Sequence, residues 1–280
     1  MVIYSPLRYP GGKRKLVPYV KKLIKENSLY DCVYVEPYAG GASVALSLLI
    51  DGYVSKIVIN DIDRSIFAFW YSIFNETEEF CRLIGKTQVN LTTWRKQREK
   101  QKFKDKLSLL ELGFSTFFLN RTNYSGVIKG GVIGGMKQKG KWKINARYNK
   151  AELIARIKEI AQYRNSVELY NVDASKIIDT IKKRFNNRIL IYFDPPYYNK
   201  GKNLYLNYYT DRDHQALFNQ IEKLQNLNWL LTYDNVPEIK KLYSNYKQIT
   251  YTLRYTANKS TIGQEVLILS RSVHSLKFGS

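Results

Sequence analysis

Apolar residues occur along this chain in short continuous runs that alternate with segments of helical periodicity. Such runs are typical of strands buried inside an α/β sheet. The pattern predicts strands at residues 33–37, 56–60, 167–172, 189–193, 229–233, 247–253 and 265–269. Helical segments such as 43–49, 151–163, 175–184 and 213–224 alternate with the first five, which indicates a largely parallel sheet. Residues 254–264 show no helical pattern, so the last two strands are expected to form an antiparallel hairpin at one end of the sheet.

A polar tetrapeptide, Asp194-Pro195-Pro196-Tyr197, directly follows the apolar run 189–193. Ligands and chemistry in open α/β sheets collect just beyond the carboxyl ends of the strands. Asp194 and Pro195 each precede a proline, which favours an extended backbone that presents carbonyl acceptors. A carboxylate and a carbonyl could accept both hydrogens of an exocyclic amine on a nucleobase, and Tyr197 could stack on the base. The alternative is a strand that ends in a Pro-Pro turn, and the tetrapeptide alone does not decide between the two.

Two other strand ends carry candidate binding residues. Residues 33–43 form a predicted strand, a turn with Gly40 and Gly41, and the start of a helix, and glycines there allow a ligand to approach the backbone closely. The next strand ends at Asp61, where a carboxylate could hold the hydroxyls of a ribose. Asp61 could instead cap the following helix, and its local sequence favours that second interpretation.

Residues 64–149 lack the strand-helix alternation of the rest of the chain. Segments 65–74 and 104–118 have helical patterns, and no acidic residue occurs from 112 to 151. Basic residues are frequent in this stretch: Arg121, Lys129, Lys137, Lys139, Lys141, Lys143, Arg147 and Lys150. Tyr124, Trp142 and Tyr148 are interleaved with them. A charged run is usually a solvated face, whereas basic and aromatic residues together also suit DNA contact.

Composition narrows the kind of partner. The chain of 280 residues has 45 Lys and Arg against 24 Asp and Glu, a formal charge of +21, which favours a polyanionic partner. Charge alone fits RNA or an acidic membrane as well as DNA. Two cysteines and two histidines, Cys32, Cys81, His214 and His274, show no disulfide or metal-binding spacing, so catalysis without a metal is expected. The absence of an apolar leader or membrane-length segment predicts a cytoplasmic protein.

Five motifs in order resemble the Dam-like family of DNA adenine-N6 methyltransferases. They are residues 8–13 (Arg-Tyr-Pro-Gly-Gly-Lys), 35–43 around the glycine turn, 60–63 (Asn-Asp-Ile-Asp), 120–126 (Asn-Arg-Thr-Asn-Tyr-Ser-Gly) and the tetrapeptide 194–197. The resemblance covers nearly the whole chain. It implies a Rossmann-like α/β sheet of seven strands with a reversed terminal hairpin. It also implies a catalytic domain of residues 1–63 and 150–280, with a target-recognition domain inserted at 64–149.

The resemblance implies S-adenosylmethionine as the cofactor. Its predicted contacts are Tyr9, Lys13, Gly40, Asp61, Asp173 and Asp194, with Asp61 on the ribose. Asp173 lies where the family holds the cofactor adenine, although a helix N-cap is an equally good interpretation. The implied catalytic residues are Asp194, Pro195 and Tyr197, which would hold and stack a flipped-out adenine.

Double-stranded DNA is the implied partner, without a membrane. The predicted DNA-binding residues are Arg8, Asn120, Arg121, Tyr124, Ser125, Lys129, Lys137, Lys139, Lys141 and Lys143. Arg8 could instead be an ordinary surface arginine. Relatives that modify GATC follow the Asn-Arg pair with Asn-Gly-Leu and a nearby arginine, whereas this chain has Ser125-Gly126-Val127 and Lys129. GATC is therefore not the expected target, because lysine and arginine contact guanine differently.

Three functions fit these observations in different degrees. A DNA adenine methyltransferase is expected, and a cognate restriction endonuclease is a partner that the sequence neither supports nor excludes. A methyltransferase of the same fold acting on RNA or on a protein amide is the first alternative. A non-catalytic DNA-binding relative is the second, and the intact Lys13, Asp61, Asp194 and Tyr197 argue against it.

Overall fold

Seven strands form one mixed sheet in the computed structural model, which describes residues 2–8, 13–185, 188–198, 209–255 and 261–274. The strands are β1 Val33–Glu36, β2 Lys56–Asn60, β3 Val167–Tyr170, β4 Ile189–Phe193, β5 Asn228–Asp234, β6 Lys247–Tyr255 and β7 Thr261–Leu269. Their order across the sheet is β3-β2-β1-β4-β5-β7-β6. The first five are parallel, and β7 runs antiparallel to both β5 and β6. The predicted Rossmann-like sheet and its reversed terminal hairpin are confirmed.

The register of the sheet brings the ends of several strands to one edge. Val35 pairs with Val58 on one side and with Ile191 on the other, so the carboxyl ends of β1, β2 and β4 lie together. In β7 the direction is reversed, and Glu265 pairs with Asp234 at the end of β5. An early residue of β7 therefore reaches the same edge as the last residues of the parallel strands.

Ten α-helices are present in the described parts of the chain. They are α1 Val17–Glu26, α2 Ser43–Ile50, α3 Arg64–Asn75, α4 Thr77–Lys86, α5 Leu91–Lys100, α6 Leu109–Thr122, α7 Lys150–Ala161, α8 Ala174–Arg184, α9 Asp211–Ile221 and α10 Pro237–Leu242. The predicted helix at 104–118 begins later, because the Ser108 side chain accepts a hydrogen bond from the Glu111 backbone and caps α6. Residues 101–106 form a separate 3₁₀ segment. None of the described helices has the length and apolar character needed to cross a bilayer.

Alternate residues of β4 serve two hydrophobic cores, one on each face of the sheet. Leu190 and Tyr192 belong to the core that also contains residues of α1, α2, α3 and α6. Ile189, Ile191 and Phe193 belong to the opposite core, beneath α8 and α9. All five residues of β4 are buried, which explains its uninterrupted apolar run.

Helices α3 and α6 of the predicted insert cross closely at Gly113. A Cβ atom at this position would lie 2.3 Å from Ser72 Oγ and 2.4 Å from the Ala68 carbonyl oxygen, so only glycine fits. Phe69 of α3 and Phe117 of α6 stack at a centroid distance of 6.1 Å within the same core that covers the sheet. These helices share the packing of the sheet, and the division into domains at residue 64 stays a prediction.

Candidate active site

A buried lysine connects the start of the chain to the tetrapeptide after β4. Lys13 is 5% exposed, and its Nζ donates a hydrogen bond to Asp194 Oδ1 at 2.8 Å and to the Tyr197 hydroxyl at 3.1 Å. The same Nζ lies 3.4 Å from Glu265 Oε2. One ammonium group thus contacts two carboxylates and a phenol, and the structure brings the predicted site residues Lys13, Asp194 and Tyr197 together.

Thr232 of β5 is the second donor to Asp194. Its Oγ1 donates to Asp194 Oδ1 at 2.9 Å, and the Tyr192 hydroxyl lies 2.9 Å from the same Oγ1. Because the hydroxyl hydrogen of Thr232 is directed at Asp194, Tyr192 is the donor in the second bond. Both bonds to the Asp194 side chain from described residues reach Oδ1, so Oδ2 can accept a hydrogen bond from a ligand. The Asp194 side chain is 25% exposed, which makes it accessible.

Burial and charge act in opposite directions on this ion pair. Burial raises the pKa of Asp194 above its ordinary value of 3.8, and Glu265 adds to that effect, while Lys13 and Thr232 oppose it. Burial lowers the pKa of Lys13, but attraction to Asp194, Tyr197 and Glu265 outweighs it, so that the pKa of Lys13 is raised above 10.5. The lysine is therefore charged at neutral pH.

Tyr197 is held by its hydroxyl and is nearly inaccessible. The hydroxyl accepts from Lys13 and donates to Glu265 Oε1 at 2.6 Å, and the lysine Nζ lies 4.9 Å from the centre of the ring. Only 2% of Tyr197 is exposed, so the stacking surface predicted for it is covered in this structure. Pro195 is also buried, and the Tyr198 backbone donates to Asp234 Oδ1 at 2.8 Å, which anchors the end of the tetrapeptide.

Asp61 fixes the glycine turn after β1. Its Oδ2 accepts from the Gly40 backbone and its Oδ1 from the Asp63 backbone, both at 2.9 Å. Gly40 has a φ of 46°, and its carbonyl accepts from the Trp70 indole at 2.9 Å. The N-cap interpretation of Asp61 is wrong, because Asp63 caps α3 by accepting from the Ser65 backbone. Burial raises the pKa of Asp61 to about 7.

A small cleft lies beside Asp61. Ala39 follows β1, Phe67 comes from α3, and Leu169 and Tyr170 belong to the edge strand β3; together with Asp61 they line the cleft. A carboxylate next to apolar and aromatic walls suits a nucleoside, whose base is flat and whose ribose carries hydroxyl donors. The space between these side chains is too small in this structure to hold a water molecule, so contact of Asp61 with a ribose stays a prediction.

Asp173 is an N-cap in this structure. Its Oδ1 accepts from the Ser175 backbone at 2.8 Å and from the Ser175 hydroxyl at 2.5 Å, at the start of α8. This confirms the capping interpretation, and contact of Asp173 with a cofactor adenine stays a prediction. Tyr9 lies outside the described residues.

Glu36, Thr232 and Glu265 were not predicted as site residues. Glu36 accepts from the Ala45 backbone at 2.9 Å and braces the turn into α2, and burial raises its pKa to about 8. The position of Glu36 in an apolar strand was the only feature of the sequence that could have predicted a buried acid.

No group of three or more metal-ligating side chains was found in the described parts of the chain.

Asn120 and Gly126 hold the backbone of Arg8. The Asn120 amide accepts from the Arg8 N–H at 2.8 Å and donates to the Arg8 and Gly126 carbonyls at 2.9 and 2.8 Å. A Cβ atom on Gly126 would lie 1.9 Å from the Arg8 carbonyl oxygen. Asn120 is 1% exposed, so direct contact with DNA would require this network to open. The Arg8 guanidinium donates to the Asn123 carbonyl at 3.1 Å.

The rest of the predicted DNA-binding set lies around residues 121–148. Arg121 donates to the Arg147 carbonyl at 2.7 Å and to the Pro6 carbonyl at 3.3 Å. Tyr124 and Trp142 are 49% and 57% exposed, whereas Tyr148 is 5% exposed and packs on Phe117, so Tyr148 does not belong to the exposed surface. Ser125 is partly buried with a φ of 54°. The exposed lysines are Lys129, Lys137, Lys139, Lys141 and Lys143.

Trp142 is the centre of a basic and aromatic surface. The Lys141 ammonium and the Arg147 guanidinium lie 5.8 and 5.5 Å from its ring centroid. Lys143 donates to the Gln138 carbonyl at 2.6 Å, which orders this loop. An exposed indole between cations is suited to an anionic, stacking partner.

The sheet order, the reversed hairpin and the polar groups at the carboxyl ends of β1, β2 and β4 define an α/β fold of the Rossmann-like methyltransferase class. The family model of the D12 class N6 adenine-specific DNA methyltransferases matches residues 9–257. The chain therefore belongs to this family and is an adenine-specific DNA methyltransferase. The predicted resemblance is confirmed.

Individual relatives are distant. The type II methyltransferase M.MjaIII of Methanocaldococcus jannaschii is 20% identical over 224 residues, which cover 74% of this chain and 73% of the relative. A candidate RNA methyltransferase from Pyrococcus horikoshii has 11% identity and a TM-score of 0.42, with 94% of this chain and 84% of that chain covered. An O-methyltransferase from Bacillus cereus in complex with SAH has 10% identity and a TM-score of 0.36, with coverages of 92% and 81%. These two scores are low, and the family assignment depends on the sequence match.

Replacing Lys13 by methionine should destabilise the fold strongly at neutral pH. The change leaves Asp194 and Glu265 buried without their cation, which costs about 3–5 kcal/mol in comparable cases. The loss should become smaller as the pH is lowered, because protonated carboxyl groups need no counterion. Urea denaturation across pH measures both effects.

Lys21→Met is the matched control. Lys21 Nζ lies 2.5 Å from Asp51, but the two side chains are 23% and 29% exposed. Loss of such an ion pair is expected to cost at most about 1 kcal/mol. Equal destabilisation by the two substitutions would contradict a special role for the buried lysine.

Proposed function

We propose that this chain transfers a methyl group from S-adenosylmethionine to the N6 amine of an adenine that is flipped out of double-stranded DNA. The observation that carries this proposal is the Asp194 carboxylate. Two donors, Lys13 and Thr232, fix it through Oδ1, and Oδ2 remains as an acceptor at the carboxyl end of β4. In a family of adenine N6 methyltransferases, such an acceptor suits the hydrogens of the amine.

The chemistry requires positioning more than a strong base. When bound, the cofactor supplies an electrophilic methyl group on a sulfonium centre. Asp194 Oδ2 would accept one N6 hydrogen and orient the nitrogen lone pair, which conjugation with the purine ring otherwise delocalises. As the new bond forms, the amine becomes acidic and its proton can pass to Asp194 or to water. An orienting and charge-stabilising role of this kind is worth several kcal/mol in other enzymes.

The residues present fit this cofactor. Asp61 uses two of roughly four acceptor directions on backbone N–H groups, so it can also accept from ribose hydroxyls. Ala39, Phe67, Leu169 and Tyr170 line the cleft beside Asp61, which would have to widen to admit the cofactor. The site would thus offer a carboxylate that accepts hydrogen bonds from the ribose and an apolar surface that contacts the base.

Adenine must leave the double helix to reach Asp194, at a cost of a few kcal/mol. Since Tyr197 is covered, the base would stack on it only after a local rearrangement of the tetrapeptide. The basic surface of residues 121–147 would supply the compensating contacts with phosphates. Lys129 and Tyr124, both exposed, are the candidates for contacts with bases.

Incubation of the protein with methyl-labelled cofactor and DNA, RNA or protein tests the proposal directly. Label on adenine N6 in duplex DNA is expected. Label on RNA or on a protein amide would overturn the DNA assignment, and absence of labelling with every acceptor would favour a non-catalytic DNA-binding protein.

Asp194→Asn should reduce the rate of methyl transfer by about 10²–10³-fold or more, because it removes the charge that stabilises the transition state. Asp194→Ala should abolish transfer. Burial raises the pKa of Asp194, so wild-type activity should fall with decreasing pH at values above the ordinary 3.8. Single-turnover rates across pH measure this, and near-normal rates in the variants would show that the tetrapeptide is structural only.

Asp61→Asn should weaken cofactor binding far more than DNA binding. The ionised carboxylate is the better acceptor for ribose hydroxyls, and the pKa of Asp61 is raised to about 7. Wild-type affinity should therefore fall as the pH decreases below 7, by up to about tenfold per unit. Isothermal calorimetry would detect this slope in the wild type and its loss in the variant.

Asp63→Asn is the matched control for Asp61. Asparagine is as good an N-cap as aspartate, so α3 should keep its cap. Cofactor affinity and its pH dependence should match the wild type. An unchanged affinity in Asp61→Asn would remove the ribose contact from the proposal.

Alanine at Lys137, Lys139, Lys141 and Lys143 together should flatten the dependence of DNA affinity on salt. Each lost phosphate contact lowers the slope of log affinity against log salt by about 0.9, and every DNA sequence should be affected alike. A control variant removes the same charge from four exposed lysines elsewhere, Lys182, Lys183, Lys240 and Lys241. Identical slopes in the two variants would mean that the loop lysines form a solvated face.

A further inference from the structure

Glu265 is a fully buried carboxylate beneath the tetrapeptide. It is 0% exposed, and the antiparallel pairing of β7 with β5 places it opposite Asp234 at the edge where β4 and β5 end. A buried carboxylate in a β-strand is costly unless it is paired and hydrogen-bonded. The partners of Glu265 therefore show how its burial is stabilised.

Three donors that surround Glu265 belong to the active site or adjoin it. Oε1 accepts from the Tyr197 hydroxyl at 2.6 Å, and Oε2 accepts from the Tyr251 hydroxyl. Lys13 Nζ lies 3.4 Å from Oε2. An ammonium at this distance and two hydroxyl groups that can donate favour the ionised form of the carboxyl group, which accepts on both oxygens.

The direction of the hydrogen bonds organises the cluster. Lys13 donates to Tyr197 and Asp194, Tyr197 donates onward to Glu265, and Thr232 donates to Asp194. Each path of hydrogen bonds in this cluster ends at one of the two carboxylates. Tyr197 is thereby held at both its donor and its acceptor function, which fixes the ring.

Among the described residues of this cluster, negative charges outnumber positive charges by one. Lys13 contributes one positive charge, while Asp194 and Glu265 each contribute one negative charge. The neighbouring Glu36 does not add to this excess at pH 7, because burial raises its pKa to about 8. Burial also raises the pKa values of Tyr192 and Tyr251, which keeps these phenols neutral.

We propose that Glu265 is a positioning residue that fixes Tyr197 and adds a negative charge to this cluster, so that the site binds a cationic methyl donor more favourably than its neutral thioether product. The inference rests on the proposed cofactor. Charges in a partly dry site interact over several ångströms with much less screening than in water. Removal of the charge of Glu265 should therefore weaken binding of the sulfonium cation without any direct contact between the two groups.

The readout is the ratio of two affinities, measured by calorimetry at pH 7. The ligands are S-adenosylmethionine and S-adenosylhomocysteine, with the amine analogue sinefungin as a second cation. Glu265→Gln should weaken binding of both cations by about tenfold relative to the neutral thioether. Contacts common to the three ligands cancel in the ratio, so a purely structural defect would leave it unchanged.

Three variants separate charge from packing. Tyr251→Phe removes a hydrogen bond to Glu265 without changing the charge, so the ratio should stay as in the wild type. Lys13→Met makes the cluster more negative, and the ratio should shift toward the cations. The double variant Lys13→Met/Glu265→Gln restores the original net charge, so the ratio should return toward the wild-type value.

Glu168→Gln is the matched control for loss of a carboxylate. Glu168 lies in β3, the outermost strand on the side of the sheet away from β7, and it forms ion pairs with Lys56 and Arg184. Removal of the Glu168 charge should not change the ratio of the two affinities. A ratio in Glu265→Gln equal to that of the wild type would overturn the inference while leaving the proposed function intact. If the wild-type protein bound none of the three ligands, the proposed cofactor itself would be wrong.

Should Glu265→Gln fail to fold, the Lys13→Met and double variants decide the matter. An ordered change in the ratio with net charge supports the inference, and ratios that do not follow net charge overturn it. The effect of Glu265→Gln on Tyr197 is tested separately by single-turnover kinetics with saturating ligands. A lower kcat with unchanged DNA affinity is expected, and an unchanged kcat would contradict the positioning role.

Discussion

The buried ammonium of Lys13 is the interaction on which the active site depends. Three separate parts of the chain meet at this group: the segment before α1, the tetrapeptide after β4, and the first half of β7. Each charged partner would be expensive to bury alone, and together they offset most of that cost. The cluster therefore requires the correct sheet order, because Glu265 reaches the edge that holds Asp194 only if β7 runs antiparallel beside β5.

A second constraint shapes the cofactor half of the site. Asn60 at the end of β2 donates to the Pro37 carbonyl at 2.9 Å and to the Val172 carbonyl at 3.0 Å, and it accepts from the Val172 backbone at 3.0 Å. One buried amide thus ties together the turns after β1 and β3. Asp61, the next residue, holds Gly40. Two consecutive polar side chains give the cleft its shape before any ligand binds, which lowers the cost of ordering it.

The sheet could be predicted well from the sequence because its strands are buried on both faces. β4 has the predicted bounds, since all five of its residues are apolar and buried. β7 begins earlier than predicted, at Thr261, because pairing with β6 continues beyond the apolar residues. α5 was missed because only Trp94 and Gln97 of this helix are buried, which leaves no apolar stripe to detect.

The site was predictable only where a residue belongs to a local motif. Lys13, Asp61 and Asp194 lie in recognisable segments, and the structure places Lys13 on Asp194. Glu265 was missed because it directly precedes an apolar run and therefore looks like an ordinary polar residue at the start of a strand. Its partners are distant in sequence, so no local motif includes them. Asn120 and Tyr148 lie in a basic segment, which suggests exposure, yet both side chains are buried. Asn120 is covered by residues near Arg8, and Tyr148 by Phe117 of α6. Such contacts between distant parts of the chain cannot be predicted from the local sequence pattern.

The contact between Lys13 and Glu265 also has a consequence for the order in which the protein folds. It joins two residues that are far apart in the sequence, and closing so long a loop costs more entropy than the local contacts of the helices. The two carboxylates and the ammonium can come together only after β7 has inserted between β5 and β6. A chain still emerging from the ribosome would therefore have most of its sheet but no assembled active site, and enzyme activity would report completion of the last hairpin.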